Sequence, residues 1–265
     1  MASRGQSADN RGGRSGRILI SLEDLDSMTD DLNSNTVHHD DGEGENERDD
    51  GDVYTFWRDV GRCHQVDVPR EMEEPIQQMT TNHSQERQAV PFTSLGHNTK
   101  ADETLFEKRQ YEKAKWACVT QYESRYEQSI CMGFMKLMKY ICQQNSSGLY
   151  LGLTLPIVTI VHTNQNRSDL LSEVTTAYYL PAQFQDQVPL PFDAEIVIEE
   201  WPAQVVYTRS FNGITNEESI LREINQLAEY LDTPELYLLE TFVVAGYNNP
   251  TVPNRRNEIW FIQRP

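Results

Sequence analysis

Between Ser124 and Gln143 the apolar residues fall at Tyr126, Ile130, Phe134, Leu137, Met138 and Ile141. Steps of four, four, three, one and three line these side chains along one face of a helix. Ser124 and Glu127 stand three apart at its start, the spacing of a capping box in which each side chain satisfies the other's backbone N–H. Thr215 to Leu231 repeats the design, with Thr215 and Glu218 at the box and Ile220, Ile224, Leu227, Ala228 and Leu231 along the stripe. A shift of 90 positions carries Ile130 onto Ile220, Phe134 onto Ile224, Leu137 onto Leu227, Met138 onto Ala228, Tyr140 onto Tyr230 and Ile141 onto Leu231.

The flanks of the two helices repeat as well. Runs rich in β-branched and aromatic residues, Ala114–Tyr122 and Ala203–Phe211, precede them and predict strands. After each helix Leu-Tyr-Leu, at 149–151 and 236–238, opens an apolar strand that ends near Val161 and Tyr247. Val174–Leu180 and Glu258–Gln263 close the two halves, and one further strand, Ala194–Glu200, is expected to join the second. Each copy alone would expose one face of a small sheet and one face of a helix, so the copies must pack together. The prediction is an α+β domain over residues 101–265, a distorted and largely antiparallel β-barrel of two pseudo-symmetric halves with two flanking helices. Its 165 residues suffice for one core without disulfides or metals.

Residues 1–100 have another character. Glu23 to Asp52 holds thirteen acidic residues and one basic residue, Arg48, and too little apolar surface to offset chain entropy. Residues 1 to about 52 are therefore expected to be a disordered acidic extension, and 70–100 a polar linker. Between them Val53 to Met72 gathers Val53, Tyr54, Phe56, Trp57, Val60, Val66 and Val68. This cluster suits either an extension of the folded domain or a short motif for a protein partner. The formal charge of −18 argues against nucleic acid as a partner. The longest nearly apolar run, Leu149–Val161, contains Pro156 and falls short of the roughly 20 residues of a membrane span. The first residues carry arginines among Gly and Ser with no apolar signal-peptide core. Four cysteines without paired short spacings suit a reducing compartment, so the expected location is cytoplasmic.

Several short motifs in order over residues 106–264 resemble the SOUL/heme-binding protein family. They are Tyr111-Glu-Lys-Ala-Lys-Trp116, Gly133-Phe-Met-Lys-Leu137 with Tyr140-Ile141, Pro156-Ile-Val158, Arg209-Ser-Phe-Asn-Gly213, Ala245-Gly-Tyr-Asn-Asn-Pro250 and Arg256-Asn-Glu-Ile-Trp260. The resemblance implies a barrel of two halves with two helices, in agreement with the repeat. It also implies non-enzymatic binding of heme and related tetrapyrroles in a hydrophobic cleft beside the first helix. The alternative it carries is a protein-interaction role in mitochondrial permeability and cell death, through a death-motif-like segment that would be Ile220–Leu231.

By that alignment the cofactor contacts would be Phe134 and Met138 as apolar wall, with Lys139 or Arg255 meeting a propionate. Methionine suits an adaptable wall, although an aromatic and a Met one turn apart also suit ordinary core. No axial ligand is assigned. Gln110 stands where the family pattern commonly places a histidine before Tyr111, Val252 stands where a lysine would be, and His162 is expected to be a surface residue at a strand end. No nucleophile elbow, phosphate loop or zinc-spaced cluster occurs in the sequence, so no catalytic or metal residues are expected.

Overall fold

The computed structural model describes residues 51–63, 67–81, 87–101, 103–248, 252 and 254–265. The expected disorder of residues 1–52 therefore falls almost wholly outside the described residues. Four helices are described: α1 (Gly51–Cys63), α2 (Glu73–Thr81), α3 (Tyr126–Ile141) and α4 (Glu217–Leu231). The strands are β1 (Gln88–Ala89), β2 (Thr93–Lys100), β3 (Glu103–Tyr111), β4 (Ala114–Gln121), β5 (Thr154–Leu155), β6 (Ile157–Thr163), β7 (Leu170–Tyr179), β8 (Val197–Trp201), β9 (Gln204–Asn212), β10 (Tyr237–Gly246) and β11 (Arg256–Gln263).

Nine strands form one antiparallel sheet in the order β2-β3-β9-β11-β10-β6-β7-β4-β8, while β1 and β5 pair separately and in parallel. The repeat is written into that order. β10 and β6 meet at the centre, β11 and β7 flank them, then β9 and β4, then β3 and β8, so eight strands form four counterpart pairs and β2 is added at one edge. The expected α+β architecture of two halves with a helix on each is what the chain forms; the outermost strands, β2 and β8, are not paired with each other.

The outer strands are exchanged between halves. β3 runs directly into β4 in sequence but pairs with β9, with Arg109 opposite Val206, whereas β8 runs into β9 but pairs with β4, with Ile198 opposite Ala117. The strand expected to join the second half thus joins the first. Pro202 supplies a reason: the residue before a proline is held extended, so Trp201 carries the chain onward instead of folding it into a hairpin.

The stretch 70–100 is not a plain linker. It contains a 3₁₀ turn at Arg70–Met72, then α2, β1 and β2. All eight residues of β2 are exposed, so it has no apolar alternation to announce it; its pairing with β3 makes the strand.

Neither helix start uses the predicted box. In α4 the box lies one residue later, where the Ser219 N–H donates to Asn216 Oδ1 at 2.8 Å and the Asn216 N–H to Ser219 Oγ at 2.9 Å. Asn216→Ala should cost about 1 kcal/mol, read as a fall of about 2–4 °C in the thermal midpoint. At α3 the residue before the helix is Arg125, with no side-chain cap of its own. Instead the Tyr126 N–H donates to Glu217 Oε1 of α4 at 3.0 Å, so one helix caps the other across the two halves.

Both helices cover one face of the sheet. α4 buries Ile220, Ile224, Leu227 and Leu231 against Phe211, Phe242, Ile259 and Phe261. α3 buries Leu137, Tyr140 and Ile141 against Ala117, Val119 and Tyr178, and Gly133 lets it approach β7, where an added Cβ would lie 2.8 Å from Thr176 Oγ1. Among the described residues no helix is long and apolar enough to cross a membrane.

Candidate functional site

The residues predicted to hold a ligand beside the first helix lie on the side of α3 turned away from the sheet. Phe134 and Met138 belong to one apolar cluster with Cys131, Met132 and Met135 of the same helix. α3 is therefore buried on two sides, and the stripe that the sequence aligns on one face is divided: Leu137 and Ile141 pack on the sheet, Phe134 and Met138 on the chain before it. The second side is closed by the chain itself. Trp57 of α1 stacks on Phe134, ring centroids 4.7 Å apart and planes 23° from parallel. Val68, Met72 from the 3₁₀ turn and Ile76 from α2 complete the cluster, with Met72, Ile76 and Met138 all at most 1% exposed.

The polar groups at this edge follow the same arrangement. Lys139 Nζ lies 3.9 Å from a carboxylate oxygen of Glu71, and the Cys142 thiol donates to the Pro75 carbonyl at 3.2 Å. The indole Nε1 of Trp57 is buried and has no hydrogen-bond partner among the described residues. The apolar residues of Val53–Met72 that are described here face the chain's own helix.

Arg255 is not part of this group. Its guanidinium is an electrostatic neighbour of Tyr126, at the start of α3, and burial lowers its pKa. Twelve residues of helix, about 18 Å at 1.5 Å per residue, separate Tyr126 from Met138. His162 is half-buried on β6, its Nδ1 3.1 Å from Thr241 Oγ1 on the neighbouring β10. Cys118, Cys131 and Cys142 are buried and free, and burial pushes the Cys131 thiol up to about 11 and the Cys142 thiol up to about 12. They are protonated at neutral pH and poor thiolate ligands. The stripe of Ile220, Ile224 and Leu227 is wholly buried against the sheet, so a groove-binding partner would have to draw α4 out of the core.

A second feature was not anticipated. On the other face of the sheet, Tyr111, Trp116, Tyr179, Trp201 and Trp260 line a small open cleft. Trp116 stacks on Trp201 at 4.5 Å, and Tyr111 on Trp260 at 4.9 Å. Beneath it lies a buried charge network. Glu258, with no exposed surface, receives two hydrogen bonds from Arg109 (2.9 and 3.1 Å), and others from Tyr247 Oη (2.7 Å) and Trp260 Nε1 (2.8 Å). Burial alone would raise the Glu258 carboxyl; the Arg109 guanidinium and these donors outweigh it and hold the group below the usual carboxylate range. Tyr247, Arg256, Glu258 and Trp260 all lie in motifs that the sequence singles out, but the partner Arg109 is visible only once β3 and β9 are paired.

An apolar floor with one amine at its edge can hold a flat, largely apolar molecule carrying an anionic group. The described side chains on this side of α3 offer carbon and sulfur surface for a macrocycle and Lys139 for a carboxylate, and no histidine among them for strong axial ligation. The residues present fit contact binding of a tetrapyrrole, provided that the covering segment moves.

The sequence pattern of the family described as SOUL heme-binding protein matches residues 87–262. Heme-binding protein 1 of Mus musculus is 30% identical over 175 residues, 65% of this chain and 91% of that protein. Heme-binding protein 2 of Homo sapiens is 29% identical over 161 residues, 60% of this chain and 78% of that protein. Among solved structures, the EcmrR C-terminal domain covers 60% of this chain and 96% of its own at 13% identity, with a TM-score of 0.45.

Proposed function

This chain belongs to the SOUL heme-binding protein family, and we propose that it is a non-enzymatic binder of heme and related tetrapyrroles in the cytoplasm. Phe134 and Met138 supply the apolar wall and Lys139 the cation for a propionate. The observation that carries the assignment is their meeting in one cluster on α3 with the amine at its edge. Four unpaired cysteines agree with a reducing compartment. Arg255, at the far end of the helix, is assigned to packing around Tyr126.

Hemin titrated into the full-length protein, followed at the Soret band, should give saturable one-to-one binding. Metal-free protoporphyrin IX should bind within a few-fold of hemin, because contact and not iron ligation supplies the affinity. Lys139→Ala should weaken both about tenfold, since a charge-assisted hydrogen bond is worth about 1.5–3 kcal/mol and about 1.4 kcal/mol is a factor of ten. Its contact with Glu71 is long and Glu71 is mostly exposed, so its loss matters little. Glu229→Ala, at the repeat-equivalent position, and His162→Ala should leave both affinities unchanged. Absence of saturable binding, or loss of binding in His162→Ala, would refute this reading.

A further inference from the structure

We propose that residues 54–63 and 67–81 act as a built-in cover of the ligand face of α3, and that a tetrapyrrole binds by displacing them. The proposal rests on the functional reading above and concerns the regulation of that same site.

Three observations carry it. The cover occupies the place assigned to the ligand with chemistry of the same kind: a flat aromatic, Trp57, lies on Phe134, apolar Met72 and Ile76 fill the wall around Met138, and the Glu71 carboxylate faces Lys139 where a propionate would. Its match is imperfect, because the Trp57 indole N–H is buried without an acceptor, and an unsatisfied buried donor costs free energy that is recovered when the segment leaves. The residues that match the family pattern begin at 87, after the cover, and the repeated domain has its own core in the two halves. Removing the segment from α3 opens one cluster and leaves the helix–sheet clusters intact.

The arithmetic follows from competition within one molecule. The apparent dissociation constant is the intrinsic one divided by the open fraction, so a cover closed about 99% of the time weakens binding about 100-fold. Any change that loosens the cover without touching α3 returns affinity by the same factor, until the open form predominates.

The test uses the full chain with hemin and protoporphyrin IX. Trp57→Ala removes the stacked ring, and Ile76→Asp places a carboxylate in the cover's buried side; neither residue belongs to the helix–sheet clusters. Each should bind both probes at least about tenfold more tightly than wild type. In the wild-type protein, saturating hemin should speed amide hydrogen exchange in 54–63 and 72–81 while protecting residues of α3. If wild type binds hemin, but both variants bind within twofold of it and exchange in the cover is unchanged or slowed, the cover is overturned and the function stands. Protection confined to 111–116 and 201–204 would place the ligand in the aromatic cleft and overturn the cover together with the Phe134, Met138 and Lys139 site, leaving tetrapyrrole binding itself standing. If neither wild type nor variants bind, with circular dichroism intact, the functional reading fails and the cover with it.

Discussion

Arg109→Met should destabilise the protein by about 3 kcal/mol, the lower end of what removal of one partner from a buried ion pair costs. Arg109 is 5% exposed and Glu258 is fully buried; without the guanidinium the carboxylate stays in a low-dielectric site with only part of its charge compensated. Tyr247, Trp260 and the half-exposed Arg256 still donate to it, which keeps the loss from being larger. At about 2–4 °C per kcal/mol for a domain of this size, the thermal midpoint should fall by about 6–12 °C. The pH dependence separates this cause from lost packing. In the wild type the Glu258 pKa is depressed on folding, so its contribution is present above the unfolded value and is lost as pH falls through the folded one. In the variant burial raises the pKa, and protonation in acid relieves the unpaired charge. The difference in unfolding free energy between the two proteins should thus be largest near neutral pH and shrink toward pH 4. Urea titrations at both pH values measure it; an equal difference at both would assign the loss to packing.

Gly133→Ala is the second large effect, at about 1–3 kcal/mol of overpacking, although alanine is otherwise the better helix former. The new Cβ would lie 2.8 Å from Thr176 Oγ1 and 3.1 Å from Thr176 Cβ, across the contact between α3 and β7. That hydroxyl is buried and has no hydrogen-bond partner, so Thr176→Ala removes an obstacle at little cost. The double variant should recover most of the stability lost in Gly133→Ala. A cycle of the four proteins by urea denaturation checks it: strict additivity would mean that the two residues do not meet.

How much of this was legible in the sequence depended on which interactions set each element. α3, α4 and the strands between them carry their own periodicity, and the 90-residue shift exposed their kinship, because one helix face and one sheet face must be apolar wherever they meet. β2 was illegible since exposed polar residues make it, and a strand of that kind is defined by its neighbour's hydrogen bonds. The pairing of β3 with β9 was hidden for a related reason: nothing local says which of two similar halves a strand will join. Phe134 and Met138 were visible as apolar helix surface, but they read as part of the same stripe as Leu137 and Ile141, and the sequence could not tell a ligand from a second layer of protein. Trp57 and its neighbours were visible too, as an apolar island in a polar region, with no mark of what they would cover.

The exchanged outer strands bear on how the chain is made. Val206, opposite Arg109, lies 97 positions further along the chain. At about 5–20 residues per second, β3 leaves the ribosome about 5–20 s before its partner exists. For that interval it is an unpaired edge, the kind of template that recruits other chains. Glu107, Lys108 and Arg109 place three successive charges in the middle of it. Arg109, which later locks Glu258 into the folded sheet, thus also helps to make the waiting strand a poor seed for aggregation, and a neutral substitution there weakens that protection during synthesis as well as the finished fold.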